Sequence, residues 1–191
     1  MGNPRSMLRA RQTAFRCSGM RALQMRGTGS KLLRAGSIVL RTIRIEALAT
    51  YEQTHDLDAR VPAELRKLSA APFPWTSYVA IASSGEIVGA CAFKNSPDAH
   101  GRVEIAYLTL PGFEGQGVAT QMAAFLTEIA HTSGFVRQID AHTLATESAS
   151  VRICKKLGFD FAGEINDPDD GPVWLWVKSI HSLEKRQEND N

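Results

Sequence analysis

The chain has 191 residues, 43% of them hydrophobic, with 22 basic against 20 acidic side chains and a net charge of +2. That length and apolar content suit one domain with a single sizeable core. No run of 18 or more apolar residues occurs, which excludes a helical membrane span, and the N-terminus lacks the apolar segment expected of a secretory signal.

The small net charge conceals an asymmetry. Residues 1–44 carry ten Arg and Lys and no acid, leaving twelve basic and twenty acidic residues, a net −8, in the remainder. An acidic body disfavours a nucleic-acid surface and suits a cationic or amine-bearing partner. Cys17, Cys91 and Cys154 are odd in number and widely spaced, without metal-ligand or redox pairing. Reduced thiols, a cytoplasmic location and no metal are the expectations.

Residues 1–36 are Arg-rich, acid-free and without a hydrophobic period long enough for a packed helix. A targeting segment, a basic arm for RNA or anionic surfaces, and a disordered extension all fit. The extension is the plainest of these, and the domain is expected over 37–180, with a polar tail at 181–191. From Ser37 the pattern predicts a first strand, then helices over 47–59 and 61–71, the second opened by Pro62 and broken by Pro72 and Pro74. The runs 77–82 and 86–93 flank Ser83-Ser84-Gly85, a hairpin signal. A strand over 102–110 follows, then a helix from Gln116 to about Thr132 and a strand over 136–144. A helix over 147–157, a strand over 159–165, a turn-rich acidic loop from Asn166 to Pro172 and a last strand over 173–177 complete the order. Strands first as a meander, then alternating with helices, predict an α/β fold with one mixed, mostly antiparallel sheet flanked by helices.

The most informative stretch runs from Leu108 to Gln121, where a strand feeds a glycine-rich turn that opens a helix. Gly115 and Gly117 permit a sharp turn and close backbone approach, and the free N–H groups of the helix start attract an anion, usually phosphate. The turn has neither the Lys-Ser/Thr end of a Walker loop nor the three-glycine spacing of a dinucleotide fingerprint. Taken alone, it is equally compatible with a tight connection.

Two segments add to this. Phe-Glu-Gly-Gln-Gly-Val-Ala-Thr at 113–120 resembles the coenzyme A loop of the GNAT superfamily of N-acetyltransferases, with Gly117 and Ala119 matching and Glu114 standing where that pattern has Arg or Gln. Ala149 to Phe159 resembles the family's Ala-Ser-x-Arg-Val-Leu-Glu-Lys-Leu-Gly-Phe segment. The resemblance spans roughly 37 to 179 and is nearest the branch containing the ribosomal-protein alanine acetyltransferases, with 103–107 and 169–174 as supporting matches.

The resemblance implies a single-domain GNAT-like fold and acetyl-CoA as co-substrate. It implies transfer of acetyl to a primary amine, on a protein N-terminus or a small molecule, by direct attack in a ternary complex. The amides of Gly115, Gln116, Gly117, Val118, Ala119 and Thr120 would hold the pyrophosphate. Leu108, Thr109 and Leu110 would lie beside the pantetheine and acetyl group, and Ser148 would bond the pantetheine or cap its helix. Cys154 stands where relatives place a tyrosine acid, and a small buried residue is its simpler role.

Glu104 is the candidate general base, because a strand puts it on one face with Arg102, Ala106 and Leu108; the alternative is an ion-paired glutamate. His142 is the reserve. Tyr78, Phe93, Trp174 and Trp176 are pocket-lining or core. Acceptor specificity is expected from loops at 47–75 and 166–173. Two further readings are a non-catalytic acyl-CoA-binding regulatory module and an RNA-associated protein using the basic arm. A monomer or homodimer is expected.

Overall fold

The computed structural model describes residues 22–23, 32–35, 38–42, 71–168 and 170–180. The helix expected over 47–59, all but the last residue of that expected over 61–71, residues 47–70 of the acceptor loop expected over 47–75, and the tail lie outside the described residues. Among the described residues nine strands form one sheet: β1 (Ala22–Leu23), β2 (Leu32–Ala35), β3 (Ile38–Thr42), β4 (Ser77–Ile81), β5 (Ile87–Phe93), β6 (Arg102–Thr109), β7 (Gln138–Leu144), β8 (Asp160–Asp167) and β9 (Gly171–Ser179). The described helices are α1 (Val118–Ser133) and α2 (Ala149–Lys156). The spatial order is β1-β2-β3-β4-β5-β6-β7-β9-β8. Every neighbouring pair is antiparallel except β6 and β7, which run parallel because α1 crosses between them.

The strands β1 and β2 fall within residues 1–36, β1 pairing antiparallel with β2 and β2 with β3, so backbone hydrogen bonding carries the sheet upstream of residue 37. One expectation needs correction. The acidic loop expected from Asn166 to Pro172 is instead a tight hairpin. Asn166 pairs with Pro172 and Asp167 with Gly171, and the Asp167 carboxylate accepts the Asp170 N–H at 3.1 Å to close the turn. Turn-forming residue types concealed strand ends that their neighbours' register had already determined.

The core lies between one face of the sheet and α1. Met122, Phe125, Leu126 and Ile129 recur at helical spacing and are fully buried, together with Val103 and Ile105 of β6 and Ile139 and Ala141 of β7. Each large apolar side chain contributes roughly 1.5–3 kcal/mol before the entropy of ordering it. Tyr78 meets Phe125 edge-on at 5.1 Å between ring centres and donates its hydroxyl to the Pro74 carbonyl at 2.7 Å. Among the described residues no helix is long and apolar enough to cross a membrane.

Gly89 of β5 shows how tightly this layer is closed. A Cβ there would lie 2.5 Å from the Leu108 carbonyl oxygen and 3.0 Å from Met122 Cε. Backbone must therefore move to admit any side chain. Gly89→Ala is expected to destabilise the fold by about 1–3 kcal/mol, read as a lower urea midpoint with an unchanged slope; a midpoint equal to wild type would contradict this packing.

Candidate functional site: a cleft where two parallel strands part

Pairing between β6 and β7 stops at Ile105 and Ala141. Beyond that rung β6 stays with β5 as far as Thr109, while β7 stays with β9 as far as Leu144. One side of the 106–109 backbone is left without a strand partner in the middle of the sheet. A cleft of about 480 Å³ occupies this gap, walled by β6, the turn before α1, and α2.

The turn is built from glycine conformations. Gly115 has φ 74° and Gly117, the residue capping α1, has φ 79°, both in the left-handed region that a Cβ disfavours. No side chain caps α1, and no acid lies in its first turn. Its free N–H groups and positive dipole end are uncompensated by the protein. Glu114, whose charge would oppose an anion, also lines the cleft, its carboxylate accepting the Gly112 N–H at 2.6 Å.

Leu108, Thr109, Gly115, Gly117, Val118, Ala119 and Thr120 line the cleft, as their order along one strand–turn–helix requires. Thr109 Oγ1 is buried there without a hydrogen-bond partner among the described residues. Three other predicted residues lie elsewhere. Leu110 is buried just past the strand end, its N–H donated to Val88. The Gln116 side chain turns back to the Gly112 carbonyl at 3.1 Å. Ser148 caps α2, its hydroxyl accepting the Val151 N–H at 3.3 Å, so the capping alternative is the one observed.

The cleft also contains residues that sequence reasoning missed. Arg152 and Lys156 present two cations to it from α2, and their i, i+4 spacing on one helix face was the available signal. Tyr107 lines it too, its hydroxyl 3.9 Å from Cys154 Sγ. Burial pushes both the phenol and the thiol above their ordinary values. Cys154 is buried in the core, the simpler of its two expected roles. Tyr78, Phe93 and Trp176 are core residues as well, the Trp176 indole donating to Thr143 Oγ1 at 3.2 Å.

Strand alternation sends Glu104 and His142 away from the buried partners of α1. There Glu104 Oε1 lies 2.6 Å from Lys94 Nζ and 3.2 Å from His142 Nδ1, which is also 3.0 Å from Asp167 Oδ2. Burial alone would lower the Lys94 ammonium. The hydrogen bond and charge of Glu104, with the charges of Asp167 and Asp170, outweigh it and hold the group above its ordinary 10.5. The ion-paired reading of Glu104 is therefore met, with Lys94 rather than Arg102, which pairs with Asp98.

A model of the acetyltransferase (GNAT) domain matches residues 39–160, more than half of the chain. The chain belongs to the GNAT family. Among solved structures, RimL, a ribosomal L7/L12 alpha-N-protein acetyltransferase in complex with coenzyme A, superimposes with a TM-score of 0.60 at 14% identity, over 78% of this chain and 98% of that one. The aminoglycoside acetyltransferase AAC(6')-Ib in complex with coenzyme A gives 0.57 at 20% identity, over 80% and 100%. A chimera of the Vibrio cholerae spermidine N-acetyltransferase SpeG and hSSAT gives 0.58 at 13%, over 75% and 96%. At these identities the likeness is one of fold. A search of the curated proteins gave no match.

The Lys94 pair carries a stability prediction. A raised folded-state value means its contribution is fully present below 10.5 and lost as pH climbs through the folded value. Lys94→Met in this GNAT domain is expected to cost about 1–2 kcal/mol near neutral pH, discounted for partial exposure. The gap from wild type should close above pH 10.5 in denaturant titrations; a gap independent of pH would contradict it.

Proposed function

We propose that this GNAT protein transfers acetyl from acetyl-CoA to a primary amine by direct attack in a ternary complex. The observation that carries the reading is the cleft itself. An acid-free, glycine-turned helix start faces Arg152 and Lys156 across a gap whose 106–109 backbone has a free side. Coenzyme A bound to two structural neighbours supports the same occupant.

The pyrophosphate would meet the N–H groups of the turn at 115–120 and the two α2 cations, where backbone donors and positive charge converge. The pantetheine would run along 106–109, taking up the free backbone groups and the Thr109 hydroxyl. A backbone N–H near Leu108 would polarise the thioester carbonyl and stabilise the oxyanion as the amine attacks. The amine arrives as an ammonium and has to lose a proton, which the cluster centred on Glu104 would receive.

The acceptor is proposed by class only: a primary amine on a protein N-terminus or a small molecule. The neighbours span both, one acting on a ribosomal protein and others on spermidine or aminoglycosides. The resemblance to the ribosomal-protein alanine branch favours a protein N-terminus.

Isothermal titration of the full chain with acetyl-CoA tests the reading, with Gly117→Glu beside it. Micromolar binding is expected for the wild type and none for the variant, whose side chain brings strain and negative charge to the phosphate position. Absence of binding by the wild type would overturn the proposal. Binding without thiol release, with any amine offered, would favour the non-catalytic module instead.

A further inference from the structure

The proton acceptor can be assigned more closely than to a cluster. His142 Nδ1 faces two carboxylate oxygens, Asp167 Oδ2 at 3.0 Å and Glu104 Oε1 at 3.2 Å. Ionised carboxylates only accept hydrogen bonds, so Nδ1 must carry the hydrogen. That fixes the tautomer of the neutral ring and leaves the lone pair on Nε2, at the opposite edge. Nε2 has no hydrogen-bond partner among the described residues.

Glu104 is less suited to the same task. Its Oε1 is already held 2.6 Å from the Lys94 ammonium and 3.2 Å from the imidazole. The charges that face the ring are Glu104 from β6, Asp167 from β8 and, through Glu104, Lys94 from the end of β5; Asp170 acts on Lys94 as well. Two carboxylates against one ammonium leave the Glu104–Asp167–Lys94 set one positive charge short of neutral, which an imidazolium would supply. The side chains of Glu104, His142 and Asp167 are 19, 16 and 7% exposed, so their mutual attraction is only weakly screened.

Position agrees with chemistry. His142 is one residue past Ala141, the last rung between β6 and β7, where the two strands part. We infer that His142 Nε2 accepts the proton of the attacking amine, with Glu104 and Asp167 as positioning carboxylates on Nδ1 and Lys94 as their counter-ion. This rests on the acetyl-transfer reading above. The ammonium N–H bond breaks and the Nε2–H bond forms. The freed nitrogen lone pair attacks the thioester carbonyl carbon; as the C–S pair leaves on sulfur, the nitrogen gives its second proton to water and the thiolate takes a proton from water. The two carboxylates stabilise the imidazolium as it forms.

The test uses the full chain in two measurements. Histidine ¹⁵N spectra, assigned with His142→Asn, are expected to show neutral His142 protonated at Nδ1; protonation at Nε2 overturns the inference whatever the activity. Thiol release is then followed with acetyl-CoA and spermidine, ribostamycin or a peptide with a free N-terminus. His142→Asn keeps an N–H towards both carboxylates and is expected to fold. It should lower kcat by about 10²–10³ with the KM for acetyl-CoA unchanged, and it should remove the ascending limb of the pH profile. Glu104→Gln and Asp167→Asn should keep that limb while lowering kcat, because each removes a carboxylate that positions the ring. Loss of the limb in Glu104→Gln with retention in His142→Asn would make Glu104 the base and sink the assignment. If the wild type turns over and His142→Asn matches it, this inference alone fails. If the wild type releases thiol with none of the amines, the transfer reading fails and the base assignment falls with it.

Discussion

The molecule depends on a place where hydrogen bonding stops. A strand in the middle of a sheet normally satisfies its N–H and C=O groups on both sides. Here β6 keeps β5 through Thr109 but loses β7 after Ile105, while β7 remains held by β9 through seven successive rungs. Each strand is anchored on its outer side, so neither can relax to close the gap. The free edge at 106–109 faces a space that the glycine turn and α2 wall in, and those backbone groups require water or a ligand as partner. Gly89 tightens the arrangement from the other side. Only a residue without a Cβ lets Met122 and the Leu108 carbonyl sit where they do.

The same parting explains why the sheet carries charge on one face. Val103, Ile105, Ile139 and Ala141 alternate into the core with α1, which sends Glu104 and His142 to the opposite face, beside the last rung. Carboxylates and an imidazole this far out of water are costly unless they neutralise one another. Lys94, just past the end of β5, and Asp167 of β8 reach the same point, where Lys94 meets Glu104 and the imidazole meets Glu104 and Asp167. Apolar side chains of similar size would stabilise the sheet as well or better. Their absence is the physical reason to look for chemistry there.

Much of this was legible in the residues, and the failures have distinct causes. The strands from Ser77 onward, α1 and the glycine turn follow from local pattern, since alternation, helical spacing and left-handed glycines leave marks in the sequence itself. Glu104 was legible for the same reason, through its strand neighbours. Asp167 was not: it meets His142 across 25 residues, and that meeting exists only once β8, β9 and β7 are in register. Its surroundings, rich in Asn, Asp, Gly and Pro, also read as a loop. The aromatic residues were ambiguous from the start, because strand periodicity distinguishes two faces without saying which is buried; Tyr78, Phe93 and Trp176 belong to the core. Ser148 carried two compatible roles, and local geometry favours the cap, which competes for the same hydroxyl.

Carrier and acceptor are met by different physics in the proposed reaction. The carrier side is made of backbone amides and two helix cations, which bind phosphate whatever amine follows. On the other face the described cluster of Glu104, Asp167 and Lys94 sums to −1 while the imidazole is neutral. Beyond residue 44 the chain as a whole is also acidic, by eight charges. At physiological salt the long-range part of that field fades over about 8 Å, so it serves mainly to bring cations near, and the final approach is governed by the cluster. An ammonium is drawn to such a site because it is charged, yet it attacks only after it has lost that charge. A group that is net negative with its imidazole empty and neutral with it protonated meets both requirements, attracting the ammonium before transfer and relaxing its hold once the proton has passed.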